Sequence, residues 1–147
     1  MRPSIQSVML KVASALAARG TCVKLQVGCV LLGEDNRILS TGYNGMARGR
    51  PHCNEDTPCW GHCQATHAES NAIISCTAGR EKIHACYTTH SPCMACCKQL
   101  IQTGCLHIAF LYPSSEEEEA RDFWLADSYE TGRTWNKYAV DKDELAA

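Results

Sequence analysis

The sequence predicts an α/β fold, a single mixed five-stranded sheet flanked by helices on both faces. Helical and extended patterns alternate in the order α-β-β-α-β-α-β-α-β along the chain. A length of 147 residues suits one hydrophobic core, and 45% hydrophobic against 20% charged residues is enough to form it. We therefore expect one domain over residues 1–147.

The first predicted elements are a helix and a hairpin. Apolar side chains recur at helical spacing over residues 3–18. Strands over 27–32 and 37–43 flank the turn 33–36, which is the pattern of a β-hairpin. Residues 44–66 show no apolar period, so we interpret them as a long loop. Loops of that length in compact domains are usually functional.

The rest of the chain alternates helix and strand. The predicted elements are, in order, a helix over 67–78, a strand over 83–89, a helix over 93–103, a strand over 106–112, a helix from the acidic run 116–119 towards Gly132, and a strand over 135–140. The nearly continuous apolar run in 106–112 is typical of a strand buried on both faces. Acidic side chains favour the start of a helix because of its dipole.

The composition is unusual in its 11 cysteines. In a secreted chain they would indicate a disulfide framework, and in a cytosolic chain metal ligands or catalytic groups. The odd count, the adequate core and an N-terminus without a signal-peptide pattern favour the second class. No apolar run approaches the roughly 20 residues that span a bilayer. We expect a cytoplasmic protein, in a host cell if viral, with no membrane partner.

Two short motifs carry the chemistry. The first is His67-Ala68-Glu69, and the second begins at Pro92-Cys93 and ends at Cys96. With this composition His-x-Glu is expected by chance about 0.4 times and Pro-Cys-x-x-Cys about 0.03 times, so the second motif is the more specific. Both motifs lie at predicted helix starts, where a site is held on rigid elements.

These residue types fit a zinc ion. Cys93 and Cys96 lie one helical turn apart, and His67 would supply a third ligand. Three protein ligands leave the fourth tetrahedral position open, as in catalytic zinc sites. Glu69 is well placed to move a proton between water and substrate. The alternative is a closed structural zinc site in which Glu69 is a solvated helix residue.

The two motifs resemble the zinc-dependent cytidine and deoxycytidylate deaminase superfamily, whose signature is His-x-Glu followed by Pro-Cys-x-x-Cys. The segments most similar to phage and bacterial deoxycytidylate (dCMP) deaminases are 27–30, 40–45, 66–73 and 88–93. The resemblance covers about residues 5–112. It implies a cytidine deaminase-like α/β/α sandwich, and histidine at position 67 argues against the free-cytidine deaminases.

The resemblance also implies a reaction, the hydrolysis of dCMP to dUMP and ammonia. Zinc-activated water would attack C4 of cytosine while Glu69 moves a proton to N3 and then to the leaving ammonia. The implied substrate contacts are Asn44 on the sugar or base edge, the Ala68 amide and Ser91 carbonyl on the polar edge of the pyrimidine, and Val27 on the ring. The alternative for Asn44 is a left-handed turn residue before Gly45.

A second, structural zinc site is predicted around the long loop, as some phage and bacterial dCMP deaminases have. The preferred ligands are Cys22, Cys53, Cys59 and Cys63, with His62 as an alternative, while His52 only hydrogen-bonds. A closed site would order the loop, because metal binding energy becomes folding energy. The alternative is a set of unliganded thiols. The remaining cysteines are interpreted as packing residues: Cys29, Cys76, Cys86, Cys97 and Cys105.

Charge bears on the substrate and partners. The net charge is −2 and no basic face is evident, which argues against a nucleic acid polymer. Lys24, Arg48 and Arg50 instead suit one small phosphate, so we expect a mononucleotide. The alternatives are dCTP, a 5-substituted dCMP, guanine or a tRNA adenosine as substrate, a non-catalytic zinc-binding module, or a disulfide-rich secreted domain. The resemblance further implies a homohexamer, activation by dCTP, inhibition by dTTP, and Mg²⁺ bound with a triphosphate effector.

Overall fold

The structure is a computed structural model that describes residues 1–54 and 64–140. Its elements are α1 (Ile5–Ala17), β1 (Gly28–Gly33), β2 (Ile38–Tyr43), α2 (Ala68–Ser75), a 3₁₀ turn (Arg80–Lys82), β3 (Ile83–His90), α3 (Met94–Leu100), β4 (His107–Tyr112), α4 (Glu117–Leu125), α5 (Ser128–Thr131) and β5 (Thr134–Lys137). The prediction of a mixed sheet with helices on both faces is confirmed.

The sheet has the strand order β2-β1-β3-β4-β5. β1 pairs antiparallel with both β2 and β3, whereas β3, β4 and β5 run parallel. Thr88 of β3 lies opposite Cys29 of β1 and Phe110 of β4, so the middle of the sheet is fixed from both sides. Because β3 and β4 are parallel, their carboxyl ends meet at one edge, the usual place for a site in α/β sheets.

Alternation along the strands builds a core on each face. In β1, Cys29 and Leu31 pack with α2, α3 and α4, while Val30 and Leu32 pack with α1. This follows from the two-residue period of a strand. The predicted packing role is confirmed for a group of cysteines on the first face, Cys29, Cys76, Cys86, Cys97 and Cys105.

Helix α1 crosses closely over the start of β1. The Ser4 hydroxyl accepts a hydrogen bond from the Ser7 amide at 3.1 Å and so caps the helix start. A Cβ atom at Gly28 would lie 1.9 Å from the Ala13 carbonyl oxygen. Only glycine permits this close crossing of α1 over the start of β1.

The single helix predicted from 116 towards Gly132 is wrong, because the chain forms α4 and α5 there. Trp124 is wholly buried, and its Nε1 donates to the Thr134 carbonyl at 3.0 Å. That contact turns the chain back so that β5 can pair with β4. Gly132, at φ 77°, ends α5 in the left-handed conformation.

Within residues 1–54 and 64–140, no helix is long and apolar enough to span a bilayer.

Candidate active site

The candidate site forms where α2 and α3 begin. His67 is the residue before α2, and Cys93 is the residue before α3. Neither side chain caps its own helix, so both are available to a ligand. Cys96 follows one turn into α3 and is buried. The two helix starts carry positive dipole ends, which favour thiolates and anionic groups.

The three side chains converge on one point. Nδ1 of His67 lies 3.4 Å from Sγ of Cys93 and 3.4 Å from Sγ of Cys96. All three donor atoms lie within 4.8 Å of one another, and no other such group occurs in the part of the chain that the structure describes. Tetrahedral zinc with ordinary bond lengths places a nitrogen and a sulfur ligand about 3.6 Å apart. The donor set and its spacing therefore fit zinc.

The electrostatics of the site favour a thiolate at Cys93. Hydrogen bonds from Cys96 and His67 lower the pKa of Cys93 to about 4. The bond to Cys93 in turn raises the pKa of His67. The pKa of Cys96 is raised, first by the neighbouring Cys93 and then by burial. A cation is needed to hold both sulfurs ionised at this distance.

Glu69 lies in the first turn of α2 and is only 4% exposed. Thr88 Oγ1 donates to Glu69 Oε1 at 3.1 Å. Burial raises the pKa of the Glu69 carboxyl above its ordinary value. Glu69 is therefore not a solvated helix residue, which contradicts that part of the alternative of a closed structural zinc site. A buried carboxyl beside a metal donor set is suited to proton transfer.

A cavity of about 290 Å³ opens beside these groups. Its lining residues are Cys22, Lys24, Leu25, Val27, Asn44, Ala65, His67, Ala68, Glu69, His90, Ser91, Cys93 and Ser114. The structure thus brings together the sequence-predicted groups Val27, Asn44, Ala68, Ser91 and Lys24. Arg48 and Arg50 are exposed and are not among these lining residues.

Asn44 is used by the chain itself. Its Oδ1 accepts from the Val27 amide at 2.8 Å, and its Nδ2 donates to the Leu25 carbonyl at 2.7 Å. Among the residues described, Asn36 is the one non-glycine with positive φ, so the left-handed turn interpretation of Asn44 is wrong. Asn44 instead shapes the 25–27 wall of the cavity.

The sequence motifs did not identify four of the lining residues: Leu25, Ala65, His90 and Ser114. Ser114 follows β4, and its amide donates to Ser91 Oγ at 2.8 Å. Since Ser91 follows the parallel strand β3, the shared carboxyl edge of β3 and β4 was a signal that could have found Ser114.

The predicted second metal site falls only partly within the described residues. Cys22 is buried and lies on the cavity wall, and Cys53 is half-buried. Among the other predicted side chains, His52 is exposed. Cys59, His62 and Cys63 lie outside the described residues.

Known proteins are similar to this chain over most of its length. A family model described as the cytidine and deoxycytidylate deaminase zinc-binding region matches residues 3–112. The chain is 35% identical over 132 residues to the deoxycytidylate deaminase of Saccharomyces cerevisiae, covering 82% of this chain and 41% of that protein. It is 30% identical over 125 residues to the deoxycytidylate deaminase of Mycobacterium phage D29, covering 74% of this chain and 95% of that one. The chain thus spans less than half of the yeast protein.

Solved structures share the fold, among them the dCMP deaminase of the cyanophage S-TIM5 in complex with dCMP and dUMP, with a TM-score of 0.69. The match covers 84% of this chain and 94% of that chain, at 24% sequence identity. At that identity the likeness establishes the shared sheet and helix arrangement.

Proposed function

The chain belongs to the cytidine and deoxycytidylate deaminase zinc-binding family, and on that premise we propose that it hydrolyses dCMP to dUMP and ammonia. The observation that carries the proposal is the geometry of His67, Cys93 and Cys96, three convergent donors beside the buried Glu69 carboxyl. The S. cerevisiae and phage D29 relatives are named deoxycytidylate deaminases, which favours dCMP within the family.

In this proposal His67, Cys93 and Cys96 hold a zinc ion. When bound, zinc supplies the Lewis acidity that lowers the pKa of water to about 7. Glu69 takes one proton from the attacking water and delivers it to N3 of the base, where it stays in the product. Glu69 then transfers the second proton of the water, from the new C4 hydroxyl group, to the departing amino group. Its burial supports this role, because a raised pKa lets the carboxyl both accept and release a proton.

The cavity wall supplies the substrate contacts. We assign the Ala68 amide and the Ser91 carbonyl to the polar edge of the pyrimidine, and Val27 to its ring face. Asn44 contacts the sugar or the base edge while it holds the 25–27 wall. Lys24 is the one lysine or arginine among the described residues that line the cavity. We assign it to the 5′-phosphate.

Ammonia release from a substrate panel tests the reaction. The panel contains dCMP, dCTP, a 5-substituted dCMP, guanine and a tRNA anticodon stem, because these are the substrates open to the superfamily. We expect the highest kcat/KM for dCMP. A higher kcat/KM for another compound of the panel would make that compound the preferred substrate. The proposed hydrolytic deamination would still hold.

Glu69→Gln tests the proton-transfer role. We expect kcat to fall by roughly 10²- to 10⁴-fold with zinc retained, because the amide cannot carry the proton. Glu119→Gln is the matched control, since Glu119 is an exposed carboxylate in the first turn of α4. Wild-type turnover in Glu69→Gln would contradict the mechanism. The absence of turnover in a zinc-loaded wild type would favour a non-catalytic zinc-binding module.

Lys24→Met tests phosphate recognition. We expect KM for dCMP to rise about tenfold while the kcat/KM measured for deoxycytidine stays unchanged, since only dCMP offers a phosphate. Lys82→Met is the control, because Lys82 is an exposed lysine of the 3₁₀ turn outside the lining residues. An equal effect on both substrates would remove Lys24 from the phosphate site.

We extend the proposal to a second, structural zinc held by Cys22, Cys53, Cys59 and Cys63, with His62 as the alternative to Cys63. The position of Cys22, buried on the cavity wall, supports a ligand cluster beside the substrate. Metal analysis should return two zinc ions per chain, and one in Cys53→Ala. One zinc per chain in the wild type would exclude the second site.

The assembly and regulation are proposed from the family resemblance. We propose one domain over residues 1–147, a cytoplasmic homohexamer, activation by dCTP with Mg²⁺, and inhibition by dTTP. Light scattering on the purified chain measures the assembly. Turnover of dCMP with and without each triphosphate measures the regulation, and no change in rate would exclude it.

A further inference from the structure

Thr88 lies directly beneath the carboxyl of Glu69. It is 0% exposed, in β3, and points to the same sheet face as Cys86 two residues earlier, the face covered by α2 and α3. Its Oγ1 donates to Glu69 Oε1 at 3.1 Å and lies 3.0 Å from the His90 carbonyl oxygen. A wholly buried hydroxyl thus joins the strand to the proton-transferring group.

The position of this hydroxyl is set by the sheet. Thr88 pairs with Cys29 of β1 and with Phe110 of β4, so its backbone is held on both sides. Threonine is branched at Cβ, which restricts its χ1 rotamer. A hydroxyl carries one proton, and an ionised carboxylate is a stronger acceptor than a carbonyl. The hydrogen bond to Glu69 is therefore preferred whenever Glu69 is ionised.

A second group, the Cys96 thiol, also contacts the Glu69 carboxyl. A thiol that ligates a metal has given up its proton and can no longer donate. Thr88 keeps its proton in the same situation. The donor that stays with Glu69 in the metal-loaded protein is thus Thr88.

Resting on the proposed deaminase function, we propose that Thr88 is a positioning residue that orients Glu69. Its hydrogen bond occupies Oε1 and leaves Oε2 of the carboxylate for proton transfer. Orientation of a catalytic group contributes to the rate because the productive geometry is held before the reaction begins. Thr88 acts on the rate through Glu69 and not through substrate binding.

The test compares Thr88→Val, Thr88→Ser and Ser40→Ala in the zinc-loaded protein. Valine keeps the shape of threonine without the hydroxyl, and serine keeps the hydroxyl. Ser40 Oγ donates to the Ala72 carbonyl at 2.6 Å, so Ser40→Ala removes a buried hydroxyl that holds the same helix α2 without contacting Glu69. The readouts are kcat and KM for dCMP, zinc content, dUMP binding by calorimetry, and Tm.

We expect Thr88→Val to lower kcat roughly 10- to 100-fold, the effect of losing a hydrogen bond to a charged group. KM, zinc content and dUMP affinity should stay within about twofold, Thr88→Ser should recover most of kcat, and Ser40→Ala should lower Tm with little change in kcat. If Thr88→Val does not fold, Thr88→Ala against Thr88→Ser gives the same comparison.

Three outcomes would overturn the proposal. They are turnover of Thr88→Val close to wild type, a Thr88→Ser variant as slow as Thr88→Val, and an equal loss of kcat in Ser40→Ala. A wild type that releases no ammonia from dCMP is a different result, because it rejects the proposed function before any variant is compared.

Discussion

Cys96 and Cys97 are neighbours in one helix and belong to different parts of the molecule. Cys96 Sγ lies 3.4 Å from His67 Nδ1, in the metal donor set. Cys97 is 0% exposed and packs in the core formed with α2 and α4. About 100° of rotation separates successive helical residues, which turns one thiol to the site and the next to the core. The position on the helix, and not the residue type, decides the role.

A contrast in ionisation separates Cys93, also in the donor set, from the core cysteines. Hydrogen bonds from Cys96 and His67 lower the pKa of Cys93 to about 4. Burial raises the pKa of Cys97 and of Cys105. A thiolate is the nucleophile and the metal ligand, whereas a buried neutral thiol behaves as a small apolar side chain. The two groups of cysteines should therefore respond differently to substitution, to alkylation and to metal removal.

The largest expected effect is that of Cys93→Ala. Loss of a zinc ligand should release the metal and reduce turnover to roughly 1% of wild type or less. Zinc content and ammonia release from dCMP measure both losses. Retention of zinc with normal turnover would remove Cys93 from the donor set.

Alkylation of the metal-free protein sharpens the comparison. Iodoacetamide should modify Cys93 at least about tenfold faster than Cys97 at pH 7, because only Cys93 is a thiolate and reachable. Peptide mass spectrometry over time gives the order of modification. Equal rates would show that the two environments do not differ as described.

A smaller effect is expected for Cys97→Ala. Removing a buried sulfur should lower the free energy of unfolding by about 1–2 kcal/mol, with zinc content and turnover unchanged. Urea denaturation and metal analysis separate the two quantities. Loss of zinc in this variant would place Cys97 in the site.

The smallest effect concerns two histidines, His67 and His107, whose pKa values are shifted in opposite directions. Cys93 raises the pKa of His67, whereas burial and then the nearby His84 lower the pKa of His107 below 6.5. Between the lowered value and 6.5 the unfolded chain binds more protons at this position than the folded chain. This group therefore makes stability rise with pH through that window, and its contribution stays constant above and below the window.

We therefore compare the urea midpoints of wild type and His107→Gln at pH 5.5 and pH 7.5. The variant should lose less stability on acidification than the wild type, by a small amount because His107 is partly exposed. An unchanged or larger loss would contradict this assignment.

Local patterns were sufficient for most of the fold. Apolar periods and glycine positions predicted nine elements. In β1 and β4, for example, a nearly continuous apolar sequence coincides with a nearly continuous run of buried residues. The helix predicted from 116 towards Gly132 was wrong because its break depends on a distant contact. Trp124 donates to the Thr134 carbonyl, and neither residue alone signals the turn.

The sequence by itself determined the donor types and their local spacing. His67 with Glu69, and Cys93 with Cys96, are separated by two and three residues, so one turn of backbone sets each pair. Such short-range geometry can be derived without the fold, and zinc chemistry follows from it.

Only the tertiary structure decided which groups meet across the sheet. His67 and Cys93 are 26 residues apart and converge because β3 lies between α2 and α3 and pairs with β1. The contact of Thr88 with Glu69 and the place of Ser114 on the cavity wall have the same origin. Strand register is set by the burial of both sheet faces at once, and no local stretch of sequence contains that information.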